Sequence, residues 1–343
     1  MNKIFVLRLL AIIFYFNIST SFSATPLVGF NAIYNGDKVT SEVQFPFVVP
    51  IYHILSQNDN GYDINGLCTG SIIGKNWILT AGHCVRTPFD PASATSETLM
   101  SPDTLLVGIG SLDLKKAKVE NFIHVKQIFA FSDKNDMDHD IALLQLVDAI
   151  NIQQVSLTSY NDFPNLKTSQ LPATAVGYGW IDKRMPGVPM PVAEENDFYS
   201  PLADGAIAHI DGYLHYGDEI IQDDQAIEAF LAKGSVEAAN SSGIDDDVIK
   251  HQLEDDIAAM FNPITMLSVT SPDGKRMTNG DSGGPLLLTI TQKDNSKRYV
   301  QIGVASMTPL SSASSSQECY SVYANLTNRD MLNFINDTMK NNP

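Results

Sequence analysis

The sequence predicts an all-β chain of antiparallel barrel or sandwich type, interrupted by one acidic stretch and closed by a helix. Two observations carry this. Short apolar, β-branched runs recur between Gly- and Asn-rich turns, and the pattern breaks once, over residues 181–262, where helix-like spacing takes over. The 343 residues are 44% hydrophobic and 18% charged, enough apolar material for a packed core and too much for wholesale disorder.

The chain opens with Lys3 and Arg8 around the apolar runs Ile4–Leu7 and Leu9–Phe16, followed by the small residues Ser19, Ser21, Ser23 and Ala24. This is the layout of a secretory signal over residues 1–24. The run is short for a bilayer span, and no later segment is long and apolar enough to make one. The expected destination is therefore secreted or periplasmic, with no stable membrane span. Residues 25–32 read as a short connector or propeptide, and 33–343 as the main domain.

Strands are expected in order at Phe45–Ile54, Ser71–Ile73, Trp77–Thr80, Leu105–Val107, Phe122–Phe129 and Ile141–Leu146, then in a segment ending Ala175-Val176-Gly177-Tyr178-Gly179-Trp180. Residues 181–262 hold 18 Asp or Glu against four Lys or Arg, a net of −14 within a chain total of −17. Gln222–Lys233 and Asp245–Met260 have helical spacing there, with Ile249, Leu253, Ile257 and Met260 as an apolar face. The stretch reads as an acidic, helical insertion with a solvated face. Strand character returns at Thr265–Thr270, Leu286–Thr291 and Tyr299–Ser306, and Asn328–Met339 reads as an amphipathic terminal helix.

The acid balance argues against a nucleic-acid partner, which needs a basic surface. Asp245-Asp246-Asp247 lacks the spacing of a calcium loop, and no Cys or His pair has metal-binding spacing, so neither metal nor cofactor is expected. Of three cysteines, Cys68 and Cys84 lie sixteen apart. A bridge between them would close the hairpin around Ser71–Thr80 and fix the strand end that presents His83. Closing such a loop contributes roughly 3 kcal/mol in the chain-entropy picture. Cys319 is left over.

Chemistry concentrates at three places. Gly280-Asp281-Ser282-Gly283-Gly284-Pro285 sets a serine among glycines that permit a tight turn and bring backbone N–H donors beside its hydroxyl. His83 follows the apolar strand Trp77–Thr80. Asp140 stands at the mouth of Ile141-Ala142-Leu143-Leu144, where burial is costly unless a donor meets it, and the ring of His83 would be such a donor. Asp138 is the competing acid, but it lies farther from the apolar run.

Together and in the order His83, Asp140, Ser282, these motifs resemble those of the trypsin/chymotrypsin-type serine proteases, over roughly Ile33–Trp180 and Ile264–Met339. The resemblance implies two six-stranded antiparallel β-barrels with the site between them, and a secreted serine endopeptidase acting on protein or peptide substrates. It assigns the oxyanion donors to the N–H groups of Gly280 and Ser282. Ser306 takes the place of a serine that hydrogen-bonds the acid and lines the cleft. Ile33-Tyr34-Asn35-Gly36 resembles a mature N-terminus released by an activating protease, its ammonium then meeting Asp281. Asn31-Ala32 precedes it, so no Lys or Arg marks the cut.

Arg276 stands where trypsin-like members carry an acid at the pocket base, and Thr308 and Ser321 fall at wall positions. Cleavage after Lys or Arg is thus disfavoured, leaving small aliphatic residues or, with Arg276 turned inward, acidic ones. Thr278 replaces a family cysteine, and Cys319 is its orphaned counterpart. A catalytically inactive binding protein and a serine esterase on the same scaffold are the competing functions.

Overall fold

In a computed structural model, residues 33–343 are described except 34–35, 59–60, 88–97, 111, 115–118, 133–136, 180–181, 185–197, 202–206, 242–260 and 308–319. The expected signal and connector, the expected helix at Asp245–Met260, Thr308 and Cys319 lie outside the described residues.

The first half holds β1 (Asp37–Lys38), β2 (Val48–Asn58), β3 (Gly61–Gly74), β4 (Trp77–Thr80), β5 (Leu105–Gly108), β6 (Phe122–Ala130) and β7 (Ala142–Leu146). Strands β2 to β7 close into an antiparallel barrel in the order β2-β3-β4-β7-β6-β5. Its interior explains why the runs Trp77–Leu79 of β4 and Ile141–Leu144 leading into β7 are apolar at successive positions instead of alternating. Ile78, Ala142, Leu144 and Leu146 point into the barrel core, while Trp77, Leu79, Ile141 and Leu143 belong to a second cluster on the outer face. Successive side chains of a strand face opposite ways, so two buried faces require two apolar sets.

After β8 (Ser156–Leu157) and β9 (Pro172–Gly177) come a small antiparallel sheet of β10 (Asp182–Arg184), β11 (Phe198–Pro201) and β12 (Ile207–Ile210), then β13 (His215–Ile221) and helix α1 (Asp224–Ser241). The chain finishes with β14 (Met266–Thr270), β15 (Pro285–Thr291), β16 (Lys297–Met307), β17 (Tyr320–Asn325) and helix α2 (Arg329–Asn341). The order β13-β14-β17-β16-β15-β9, closed by β9 pairing with β13, makes the second six-stranded barrel, with β1 added beside β13 and β8 beside β16. Ala175, Ile221, Leu267, Val269, Leu286 and Ile302 fill its core. The two barrels, the helix in the acidic stretch and the terminal helix are the architecture expected from the sequence.

The acidic stretch is not one continuous insertion, because β13 lies inside residues 181–262 and is a wall of the second barrel. Its inward positions are His215, Gly217, Glu219 and Ile221, all buried. Polar groups and a glycine at these sites conceal the alternation by which a strand is read. Helix α1 starts where Asp223 accepts the Ala226 N–H, and packs Ile227 and Phe230 against Met266, Tyr320 and Val322 of the second barrel. Helix α2 is capped by Asn328, whose side chain accepts the N–H groups of Asp330 and Met331. Among the described residues, no helix is long and apolar enough to cross a membrane.

Candidate active site

The hairpin β3–β4 carries the first part of the site. Cys68 and Cys84 are joined in a disulfide, with Cα atoms 6.2 Å apart, tying the middle of β3 to the short turn of helix at His83–Val85 that follows β4. His83 is thereby held at the barrel rim, half-buried.

Asp140 precedes β7, which pairs with β4, so the two strand ends bring Asp140 to His83. Its Oδ2 lies 2.7 Å from His83 Nδ1, and its Oδ1 accepts the His83 backbone N–H at 2.8 Å. From the second barrel, Ser306 Oγ donates to the same Oδ2 at 2.6 Å. The carboxyl is 1% exposed. Burial by itself raises its pKa, but the His83 charge, the His83 and Ser306 side-chain hydrogen bonds and the His83 N–H together hold it below the ordinary carboxylate value. An ionised Asp140 accepts from Nδ1–H, which leaves Nε2 of a neutral ring as the basic nitrogen. Asp138, in the turn Met137–His139, stays partly exposed.

Ser282 comes from the turn before β15 in the second barrel. Its carbonyl accepts the Thr69 N–H at 2.8 Å and lies 3.6 Å from Cys84 Sγ, which sets the serine at the same corner as the disulfide and His83. Gly283 has φ +83° and passes so close that an added Cβ would sit 2.2 Å from the Thr69 carbonyl oxygen, so only glycine fits. Downstream, Gly283 N–H donates to Ala305 O and Ala305 N–H to Gly284 O, both at 2.8 Å, pinning the turn to β16 beside Ser306.

Asp281, expected to meet the Ile33 amine, is buried and held by three donors of its own domain. Oδ1 accepts Gly179 N–H at 2.8 Å, and Oδ2 accepts Thr278 N–H at 2.7 Å and Thr278 Oγ1 at 3.0 Å. Burial nevertheless pushes its pKa up to about 6. Ile33 is itself 1% exposed, its side chain packed over Gly217 in the second barrel's core cluster with Met277.

Of the pocket residues, Arg276 is half-buried. Ser321 is 1% exposed and faces the barrel interior, accepting Met277 N–H at 3.1 Å and donating to Glu219 at 3.4 Å. Glu219 also receives Tyr323 OH at 3.4 Å, and burial pushes its carboxyl up to about 8. Cys68, His83 and Cys84 bring potential ligand atoms within 4.8 Å of one another, but the disulfide takes both sulfurs and leaves no thiolate for a metal.

The sequence reading missed Thr69, Glu219 and the pair of buried His215 with half-buried Asp211, whose Nε2 and Oδ2 are 2.9 Å apart. Thr69 carries no signal beyond its place after Cys68. Glu219 and His215 are found only once β13 is recognised as a strand with their side chains on its inner face.

The trypsin family model matches residues 33–195. Mouse serine protease 28 is 26% identical over 256 residues, 71% of this chain and 71% of its own length. Trypsin Tyr p 3.0101 of Tyrophagus putrescentiae is 33% identical over 89 residues, 26% of this chain and 28% of its own. Mouse mannan-binding lectin serine protease 1 is 27% identical over 119 residues, 33% of this chain and 16% of its own. The alignments to the latter two thus span well under half of those relatives. The double barrel, the matched residues and these relatives together make the chain a homologue of the trypsin/chymotrypsin-type serine proteases.

Proposed function

We propose that the protein is a serine endopeptidase that cleaves peptide bonds through an acyl-enzyme, with Ser282 as nucleophile, His83 as general base and acid, and Asp140 as the group that orients and stabilises the ring. The observation that carries this reading is the buried Asp140 carboxylate, with both oxygens turned to His83 and a third donor arriving from Ser306. Ser282 Oγ attacks the scissile carbonyl while His83 Nε2 takes its proton, a step for which a positioned base supplies about 10²–10⁴ in rate. The imidazolium then protonates the leaving amine, and water repeats the sequence to release the acid. The N–H groups of Gly280 and Ser282 receive the oxyanion, where losing one donor typically costs about 3 kcal/mol.

The reading extends to specificity and activation. Arg276, in place of an acid at the pocket base, disfavours Lys and Arg side chains and leaves small aliphatic residues as the preferred ones; Ser321, whose hydroxyl is turned to Met277 N–H and Glu219 in the barrel interior, is not one of the pocket walls. Release of Ile33 by another protease completes activation. Ile33 has φ +42°, a strained conformation for a β-branched residue, which cutting the preceding bond relieves. Export by the signal over residues 1–24 places the enzyme outside the cytoplasm.

The test is labelling of the processed chain with a fluorophosphonate and hydrolysis of a peptide library, with Ser282→Ala as control. The expected result is Ser282-dependent labelling and peptide cleavage after small residues. Absence of labelling overturns the enzyme reading in favour of a binding protein, and ester cleavage without peptide cleavage overturns it in favour of an esterase.

A further inference from the structure

We propose that Thr69 is a positioning residue for Ser282, holding the serine turn in register with the histidine corner across the barrel interface. The inference rests on the serine-peptidase reading of the site and adds to it a residue that contributes no group to the chemistry.

Thr69 is fully buried in β3, directly after Cys68. Every polar group it owns is engaged. Its N–H donates to Ser282 O at 2.8 Å, and its Oγ1 donates to Gly280 O at 2.8 Å. The same Oγ1 accepts Tyr178 N–H at 3.1 Å, and its carbonyl accepts Thr80 Oγ1 at 2.8 Å. The hydroxyl has one proton, given to Gly280, and a lone pair, given to Tyr178, so its direction is fixed.

Gly280 O and Ser282 O flank the Asp281–Ser282 peptide, whose N–H is one of the two proposed oxyanion donors. One residue of the opposite barrel therefore grips the turn on both sides of that peptide. On the histidine side, Thr69 is joined to His83 by two short routes. One is the Cys68–Cys84 disulfide, and the other is Thr80, which leads through Ala81 and Gly82 to His83. The interval between the base and the nucleophile is thus set through Thr69. Gly280 has φ +96°, and without the hydroxyl its carbonyl is a buried acceptor that must turn to find another donor, moving the donors on either side of it.

The experiment compares Thr69→Val, which keeps shape and loses the hydroxyl, with Thr69→Ser, which keeps it. Burst titration with an activated ester counts competent sites, and kcat and KM for a peptide substrate are then expressed per site. The expected result is a fall in kcat of about tenfold or more for Thr69→Val, with KM within about twofold, and recovery to within about threefold in Thr69→Ser. A purely structural residue would lower the melting temperature and the number of competent sites but leave kcat per site unchanged. That outcome overturns the proposal. If Thr69→Val does not fold, Thr69→Cys and Thr69→Ser form a pair of similar size, and equal kcat per site in the two overturns it as well. A wild-type chain that is not acylated at Ser282 overturns the enzyme reading itself, whereas an acylated wild type with an unaltered Thr69→Val removes only the role of Thr69.

Discussion

Replacing Ser306 by alanine tests whether the Asp140 carboxylate is shared between the barrels. Ser306 Oγ gives Asp140 Oδ2 a 2.6 Å hydrogen bond at a site where the acid is 1% exposed and the serine 6%. A hydrogen bond to a buried charge contributes about 1.5–3 kcal/mol. With an unfolding entropy of about 2.1 cal/mol/K per residue over roughly 300 residues, that loss lowers Tm by about 2–5 °C near pH 7. Catalysis should fall by less than about tenfold, because both hydrogen bonds from His83 to Asp140 remain. The pH dependence carries the sharper signature. Asp140 is held below its ordinary value of 3.8, so its contribution to stability is present above that value and lost as pH falls through the depressed one. Removing one of the groups that lowers it moves the pKa up toward its ordinary value, so the acid loss of stability becomes smaller and is complete at higher pH. Thermal melts from pH 3 to 8, read beside kcat/KM over the same range, measure both. An unchanged Tm at pH 7 together with an unmoved acid limb would show that Ser306 bears no part of the charge, and would refute the argument.

Three further outcomes are expected. Glu219 and Asp281 have pKa values raised to about 8 and about 6, so the stability each contributes in its protonated form is full below its ordinary carboxylate range and drains as pH rises through the raised value. Glu219→Gln should therefore raise Tm at pH 8 and flatten its slope between pH 5 and 8, and an unaltered slope would count against a buried, proton-holding Glu219. Gly179→Ala places a Cβ 2.4 Å from Asp281 Oδ2 and 2.5 Å from Thr278 Oγ1. The Asp281 cradle must open, and burst titration should find acylation slowed by about a hundredfold or more; near-normal acylation would show that the cradle does not order the turn. Deleting residues 181–262 removes β13 and leaves the second barrel open between β9 and β14, so it should abolish a cooperative melt, whereas a deletion of 182–210 that spares β13 should retain one. Equal melts for the two deletions would refute the placement of β13.

The barrels and the three motifs were legible in the sequence for a common reason. β4 and β7 are buried on both faces, and so appear as the apolar runs Trp77–Leu79, shortly before His83, and Ile141–Leu144, directly after Asp140. Two of the glycines around Ser282 are visible because nothing larger fits: Gly283 lies against the Thr69 carbonyl and Gly284 against the Val176 and Asp281 carbonyls. Where the interior is polar, the same logic fails. Glu219 and His215 occupy inward positions of β13, so a barrel strand passes for part of an acidic insertion. Tyr320–Asn325 escapes for a related reason: Ser321 and Asn325 occupy positions of β17 that are wholly buried. The hub at Thr69 was invisible in principle. Its meaning lies in contacts to residues more than a hundred and two hundred positions away, and a single threonine in a strand carries no trace of them.

Helix α2 follows the last strand of the second barrel yet lays Met331 and Ile335 in the cluster formed by Trp77, Leu79 and Leu143 of the first, and its end receives the Gln145 side chain at Asn342 O, 3.0 Å away. The outer wall of the first barrel is therefore finished by a helix that follows the second barrel in sequence. A chain growing from its N-terminus can form β2 to β7 early, but that half keeps a bare apolar flank until α2 has been made. Chain order thus acts as a clock: a product that stops short of α2 lacks the piece that seals its oldest part.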